Sequence, residues 1–141
     1  MFDLRKSKPP MKLYGNVKRG WHRAEIHQAG IKNGRSKKGK EYQYILIDFL
    51  ITKDDVLVPF FSFYKKGQER PDPAFAKLLS IAGVTGDFSN DQFGLFDALL
   101  GSELMVRVTH RFKGPNRIRR DAVTDFRYLR EPGVDDDKPP F

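Results

Sequence analysis

Residues 41–52 read EYQYILIDFLIT, and how this stretch folds decides how the rest of the chain is arranged. Ile, Tyr, Phe and Leu dominate it, with neither Gly nor Pro, which is the composition of a pleated, half-buried strand. A period of two puts Ile45, Ile47, Phe49 and Ile51 on one face and Tyr42, Tyr44, Leu46, Asp48 and Leu50 on the other. The first face reads as core. The second carries rings and hydroxyls to where solvent or a ligand can reach them. The stretch is broken by Asp48 and falls far short of the ~20 apolar residues that cross a bilayer, so no membrane span is expected.

Working outward, residues 32–40, KNGRSKKGK, form a Gly- and Lys-rich loop, and residues 20–31, GWHRAEIHQAGI, alternate as an earlier strand. That alternation sets Ala24 and Ile26 against Trp21, Arg23, Glu25 and His27. Residues 1–19 have no periodicity, carry Pro9-Pro10 and read as a basic arm. On the other side TKDD is a turn, and VLVPFFSFY at 56–64 is a third strand in which Pro59 marks an edge or a bulge. The register there is open: either Phe60, or Phe61 and Phe63, faces inward. PAFAKLLSIAG predicts a helix started by Pro73 and stopped by Gly83. NDQFGLFDALLG predicts a second, with Asn90 as cap and Gly101 just past its end. SELMVRVTHRF and IRRDAVTDFRYL, joined by the turn KGPNR, are the last two strands, with Leu104, Val106 and Val108 inward.

The order β-β-β-α-β-β is that of a five-stranded OB-fold barrel, all-β with a helical insertion, occupying residues 20–130. Closing such a sheet removes exposed edges. An open five-stranded α+β sheet is the competing arrangement.

The chain has 141 residues, no Cys and a net charge of +8. Without Cys there are no disulfides or thiolate metal sites, and His22, His27 and His110 lack ligand-like spacing, so neither metal nor cofactor is expected. The N-terminus has no apolar stretch after its basic residues, and the expectation is a cytoplasmic protein. Residues 1–130 hold 25 Lys and Arg against 14 Asp and Glu, whereas residues 131–141 hold one Lys against four acids. A cationic body favours a polyanionic partner.

In an OB-fold, ligands cross strands 2 and 3 between the loops joining strands 1–2 and 4–5. Both loops are cationic here: Lys32, Arg35, Lys37, Lys38 and Lys40 in the first, Lys113 and Arg117 in the second. Unpaired bases stack on exposed rings without demanding sequence. Trp21, Tyr42 and Tyr44 are the candidate stacking residues, with Phe61 and Phe63 balanced between core and site; Arg23, Arg107 and Arg111 add cations. The partner expected from this pattern is single-stranded nucleic acid. GRSKKGK at 34–40 matches the spacing of a phosphate-binding loop, but Glu41 and a strand follow where Ser or Thr and a helix are required. Asp54-Asp55 read as turn formers, and Asp121 and Asp125, alternating with arginines, suggest cross-strand ion pairs. No nucleophile, base and orienting group assemble, so no catalytic step is expected.

The chain finishes VDDDKPPF. This ending is similar to the acidic tip D-D-D-I-P-F of bacterial single-stranded DNA-binding proteins. The body, with GWHRAEI at 20–26, SKKGK at 36–40 and a helical insertion before the last two strands, resembles compact phage-encoded members of that group. The resemblance implies an OB-fold that coats single strands in replication, recombination and repair. It also implies a tail, residues 131–141, that recruits partner proteins through Asp135, Asp136, Asp137, Pro140 and Phe141. Homo-oligomers occur in the group. The tail is also long enough to fold back and compete with phosphates for the lysine loop.

Overall fold

The computed structural model describes residues 13–65, 70–85 and 92–129. Its elements are β1 (Gly20–Arg35), β2 (Glu41–Ile51), β3 (Val56–Tyr64), α1 (Pro73–Ala82), α2 (Gln92–Leu99), β4 (Glu103–Lys113) and β5 (Ile118–Arg127). The five strands form one sheet in the order β3-β2-β1-β4-β5, and each neighbouring pair is antiparallel. The sheet curls until its two ends meet: the Phe60 ring of β3 stands edge-on to the Phe126 ring of β5 at 4.9 Å. Residues 13–17 bridge the remaining gap. On one side Leu57 donates its N–H to the Leu13 carbonyl at 2.9 Å and accepts from the Gly15 N–H at 3.3 Å. On the other, the Val17 N–H donates to the Asp121 carboxylate at 2.8 Å. The closed order 1-2-3-5-4, with helices between β3 and β4, is the OB-fold, not an open α+β sheet.

The barrel interior is the face of β2 that the alternation marks as core. Ile45, Ile47, Phe49 and Ile51 are fully buried, as are Ala24, Leu104, Val106 and Val108. Phe49, Phe60 and Phe126 form a ring cluster at its centre, and each such buried side chain contributes roughly 1.5–3 kcal/mol. In β3 it is Phe60 that points inward, which resolves the register left open by Pro59. The two helices close one end of the barrel: Phe75 and Leu78 from α1 and Leu95, Phe96 and Leu99 from α2 join the core. Pro73 begins α1 and Gly83, at φ 72°, ends it. Asp72 does not cap that helix with its side chain. Its carboxylate accepts instead from the Phe63 N–H at 2.9 Å and the Ser62 hydroxyl at 3.1 Å, fastening the helix start to β3. Asn90 lies outside the described residues.

Two sequence expectations need correction, and a third needs detail. Residues 32–35 are not loop: β1 continues to Arg35, paired with Glu41, so the Lys-rich connection shrinks to a turn at 36–40. The ribbon extends because Gly34 gives the Tyr42 ring a place to lie; a Cβ there would sit 2.6 Å from the ring. Residues 13–19 are not a free arm, since Val17 is buried in the core cluster. The acids do face cations across the strands, Asp125 opposite Arg107 and Asp121 opposite His110 at 3.7 Å, but their shortest pairs lie elsewhere. Asp121 is bound by Arg119 of its own strand at 2.8 Å and Asp125 by Lys77 of α1 at 2.7 Å. Among the described residues no helix is long and apolar enough to cross a membrane.

Candidate nucleic-acid interface

The outer surface of β2 and β3 is a row of rings. Antiparallel register places Tyr44 beside Phe63 and Leu46 beside Phe61, all on the face opposite the core. Tyr42 and Tyr44 lie 5.9 Å apart between centroids, and Tyr44 and Phe61 are again 5.9 Å apart, each pair tilted. Tyr42, Phe61 and Phe63 are 46, 53 and 59% exposed. Rings in a packed protein bury themselves when they can. Four adjacent ones on one outer face, three of them strongly exposed, form an apolar platform that no described residue covers.

A β-bulge delivers the cation at the platform's edge. Ahead of it the even-numbered residues of β1, Ala24 and Ile26, point inward; the pairing then shifts between Ile26 and Gln28. Beyond the shift the parity reverses, and Gln28, Gly30 and Lys32 come to the outer face beside Asp48, Leu46 and Tyr44. At the end of this ribbon the exposed turn carries Lys37, Lys38 and Lys40, held by a Ser36 N–H bond to the Lys40 carbonyl at 2.8 Å. Arg35 is exposed and paired with Glu41 at 3.0 Å, whereas Lys37, Lys38 and Lys40 have no such pair among the described residues.

The β4–β5 hairpin supplies the opposite margin. Arg111 and Arg120 are directly opposite each other, both exposed. Like charges in that position repel unless an anion lies between them. Arg117, in the turn at φ 51°, sets its guanidinium 5.5 Å from the exposed Phe112 ring. Lys113 is the last residue of β4. Between hairpin and platform runs a cleft of about 370 Å³ lined by Leu46, Pro59, Phe61, Arg119, Arg120 and the bridging residues Tyr14, Gly15 and Asn16. A second cleft of about 400 Å³ lies across the Leu46–Asp48 ridge, against Gln28 and Lys32.

The floor is fixed by two buried acids. Asp48, 4% exposed, accepts a hydrogen bond from the Tyr14 hydroxyl at 2.6 Å. Burial of the phenol, together with that bond and the nearby negative charge, pushes Tyr14 well above its ordinary ionisation range. Asp121 gathers Arg119, the Val17 N–H and, at 3.7 Å, His110. Burial alone would push its carboxyl up; the hydrogen bonds from Arg119 and Val17 and the adjoining positive charges outweigh this and hold it below the ordinary carboxylate range. Arg119 also donates to the Val17 carbonyl at 2.7 Å, so the bridge is held from both backbone groups.

Trp21, Arg23 and Arg107 are not part of this surface. The N-terminal half of β1 pairs with β4, setting Trp21 opposite Arg107 and Arg23 opposite Met105 on a different wall of the barrel. Arg127 lies over the indole, 4.4 Å from its centre, and Arg23 is paired with Glu103 at 3.1 Å. Sequence reading did not single out Tyr14, Arg119 or Arg120. The only signal for the arginines is their density, IRR after a turn; nothing local marks Tyr14. Asp135, Asp136, Asp137, Pro140 and Phe141 lie outside the described residues.

No family model and no curated protein matches the chain. Among solved structures it is similar to one described as yeast RPA bound to ssDNA, with a TM-score of 0.45 and 10% identity over 92% of this chain and 87% of that one. No residue is carried across at that distance.

Proposed function

We propose that this protein binds single-stranded DNA with little sequence preference, protecting exposed strands during replication or recombination. The observation that carries this reading is the row of Tyr42, Tyr44, Phe61 and Phe63, uncovered among the described residues, between a lysine turn and an arginine hairpin. Duplex DNA hides its base faces, so exposed rings have nothing to stack on; single strands offer a face at every nucleotide, each worth ~1–3 kcal/mol. Lys32, Lys37, Lys38 and Lys40 on one margin and Arg111, Lys113, Arg117 and Arg120 on the other neutralise the backbone. The reading contains no catalytic step. Trp21, Arg23 and Arg107, on the neighbouring wall, would engage only a strand long enough to leave the platform and wrap. The acidic tail, residues 131–141, recruits partner proteins and competes with phosphate for the lysine turn when DNA is absent.

The deciding experiment is an anisotropy titration with single-stranded DNA, duplex DNA and RNA of equal length at two ionic strengths. Single-stranded DNA is expected to bind tightest, with affinity falling as salt rises. Failure to bind it at low salt overturns the reading, and tighter binding to RNA transfers the site to that ligand.

A further inference from the structure

A carboxylate in the floor of a surface meant for phosphates is electrostatically misplaced unless what sits above it is a base. Asp48 is nine-tenths buried, and its Oδ1 is taken by the Tyr14 hydroxyl at 2.6 Å. Among the described residues its Oδ2 meets no donor, and the side chain lines the cleft of about 400 Å³ on the β1 side of the ridge. Gln28 stands directly across from it on β1, and Lys32 follows in the same cleft, next to Tyr44 of the platform.

We infer that this cleft is a base-reading pocket that takes guanine in preference to thymine. The inference rests on the proposed binding of single-stranded DNA and gives one nucleotide position within it a preference. An ionised carboxylate only accepts hydrogen bonds. Guanine presents two adjacent donors on its Watson–Crick edge, the exocyclic amino group and N1–H, with O6 beside them as an acceptor. The donors meet Asp48; O6 meets the Gln28 amide or the Lys32 ammonium. Thymine presents a single N3–H between two carbonyl oxygens, which the carboxylate repels. Tyr14 sets the strength of the reading, because its hydroxyl occupies one of the two oxygens that guanine could use.

The test uses the full chain and a short oligothymidylate carrying one dG at each position in turn. Wild type is expected to gain about five- to tenfold in affinity at one position. Asp48→Asn keeps an acceptor for the Tyr14 hydroxyl and should lose that gain, read as the ratio of the dG-containing to the all-thymidine affinity of the same variant. Tyr14→Phe frees the second oxygen and should enlarge the gain. Replacing that dG by inosine, which lacks the amino group, should remove most of the gain in wild type and needs no variant to fold. The inference is overturned if all-thymidine binds but no position gains, if the gain survives Asp48→Asn, or if inosine matches guanine. Loss of all oligonucleotide binding by wild type would instead bring down the proposed function and this inference with it.

Discussion

Single side chains divide into those that hold the barrel and those on which the proposed function rests. Tyr44 and Phe61 do little for the core, being on its outer side. Tyr44→Ala or Phe61→Ala should each cost ~1–3 kcal/mol of single-stranded DNA affinity by anisotropy, with a thermal midpoint within a few degrees of wild type. A collapse of the melting transition would make them structural. Asp121 is the opposite case. Asp121→Asn weakens the Arg119 pair and the acceptor for the Val17 N–H, and should lower unfolding stability by about 1–3 kcal/mol in urea titrations. The pH dependence follows from its depressed ionisation, which Asp125 shares chiefly through its hydrogen bond from Lys77. A carboxyl depressed by folding contributes its full stability above the unfolded Asp value of about 3.9 and loses it as pH falls through the folded one. Stability should therefore hold from pH 7 to about 5 and drop below about 4, and the drop should be smaller in Asp121→Asn.

At the level of elements, two features of the β1–β2 ribbon and one of the β4–β5 hairpin have consequences that can be measured. Gly34 is empty space into which the Tyr42 ring settles. Gly34→Ala should displace that ring with little loss of stability, since only the far end of the Tyr42 side chain must move, yet weaken DNA binding about as much as Tyr42→Ala does. The double variant should be no worse than either alone. The bulge after Ile26 turns Lys32 to the platform, and a strict period of two, which the sequence suggested, could not foresee it. On the hairpin, Arg111 faces Arg120. Arg111→Gln relieves that repulsion and should stabilise the free protein by about 0.2–1 kcal/mol. It should also weaken DNA binding and lower the salt slope by about 0.7. An arginine present for stability would show the reverse sign in denaturation.

For the molecule as a whole, closure depends on chain that precedes the first strand. Residues 13–17 hold β3 and β5 together through Leu57 and Asp121, so removing residues 1–19 should destabilise the barrel, whereas loss of a solvated arm would not. Charge is also distributed at this scale, with a cationic body and an anionic tail. Deleting residues 131–141 should tighten single-stranded DNA binding most at low salt, where tethered aspartates compete best with phosphate. Equal affinities for the two chains across salt would show that the tail does not reach the site.

Local sequence was enough to set the order of strands and helices and most of the core face. Alternation in residues 41–52 separates Ile45, Ile47, Phe49 and Ile51 from Tyr42 and Tyr44, because a strand's period is a local property that needs no partner. Pro73 and Gly83 likewise bound a helix by backbone conformation alone. What the tertiary structure decided are relations between distant segments. Phe60 rather than Phe61 turns inward only because β3 must meet β5, Trp21 parts from the tyrosines because β1 changes partners midway, and Tyr14 reaches Asp48 across 34 positions of sequence. Those placements come from ring closure and register, and neither is a property that any short stretch of residues carries by itself.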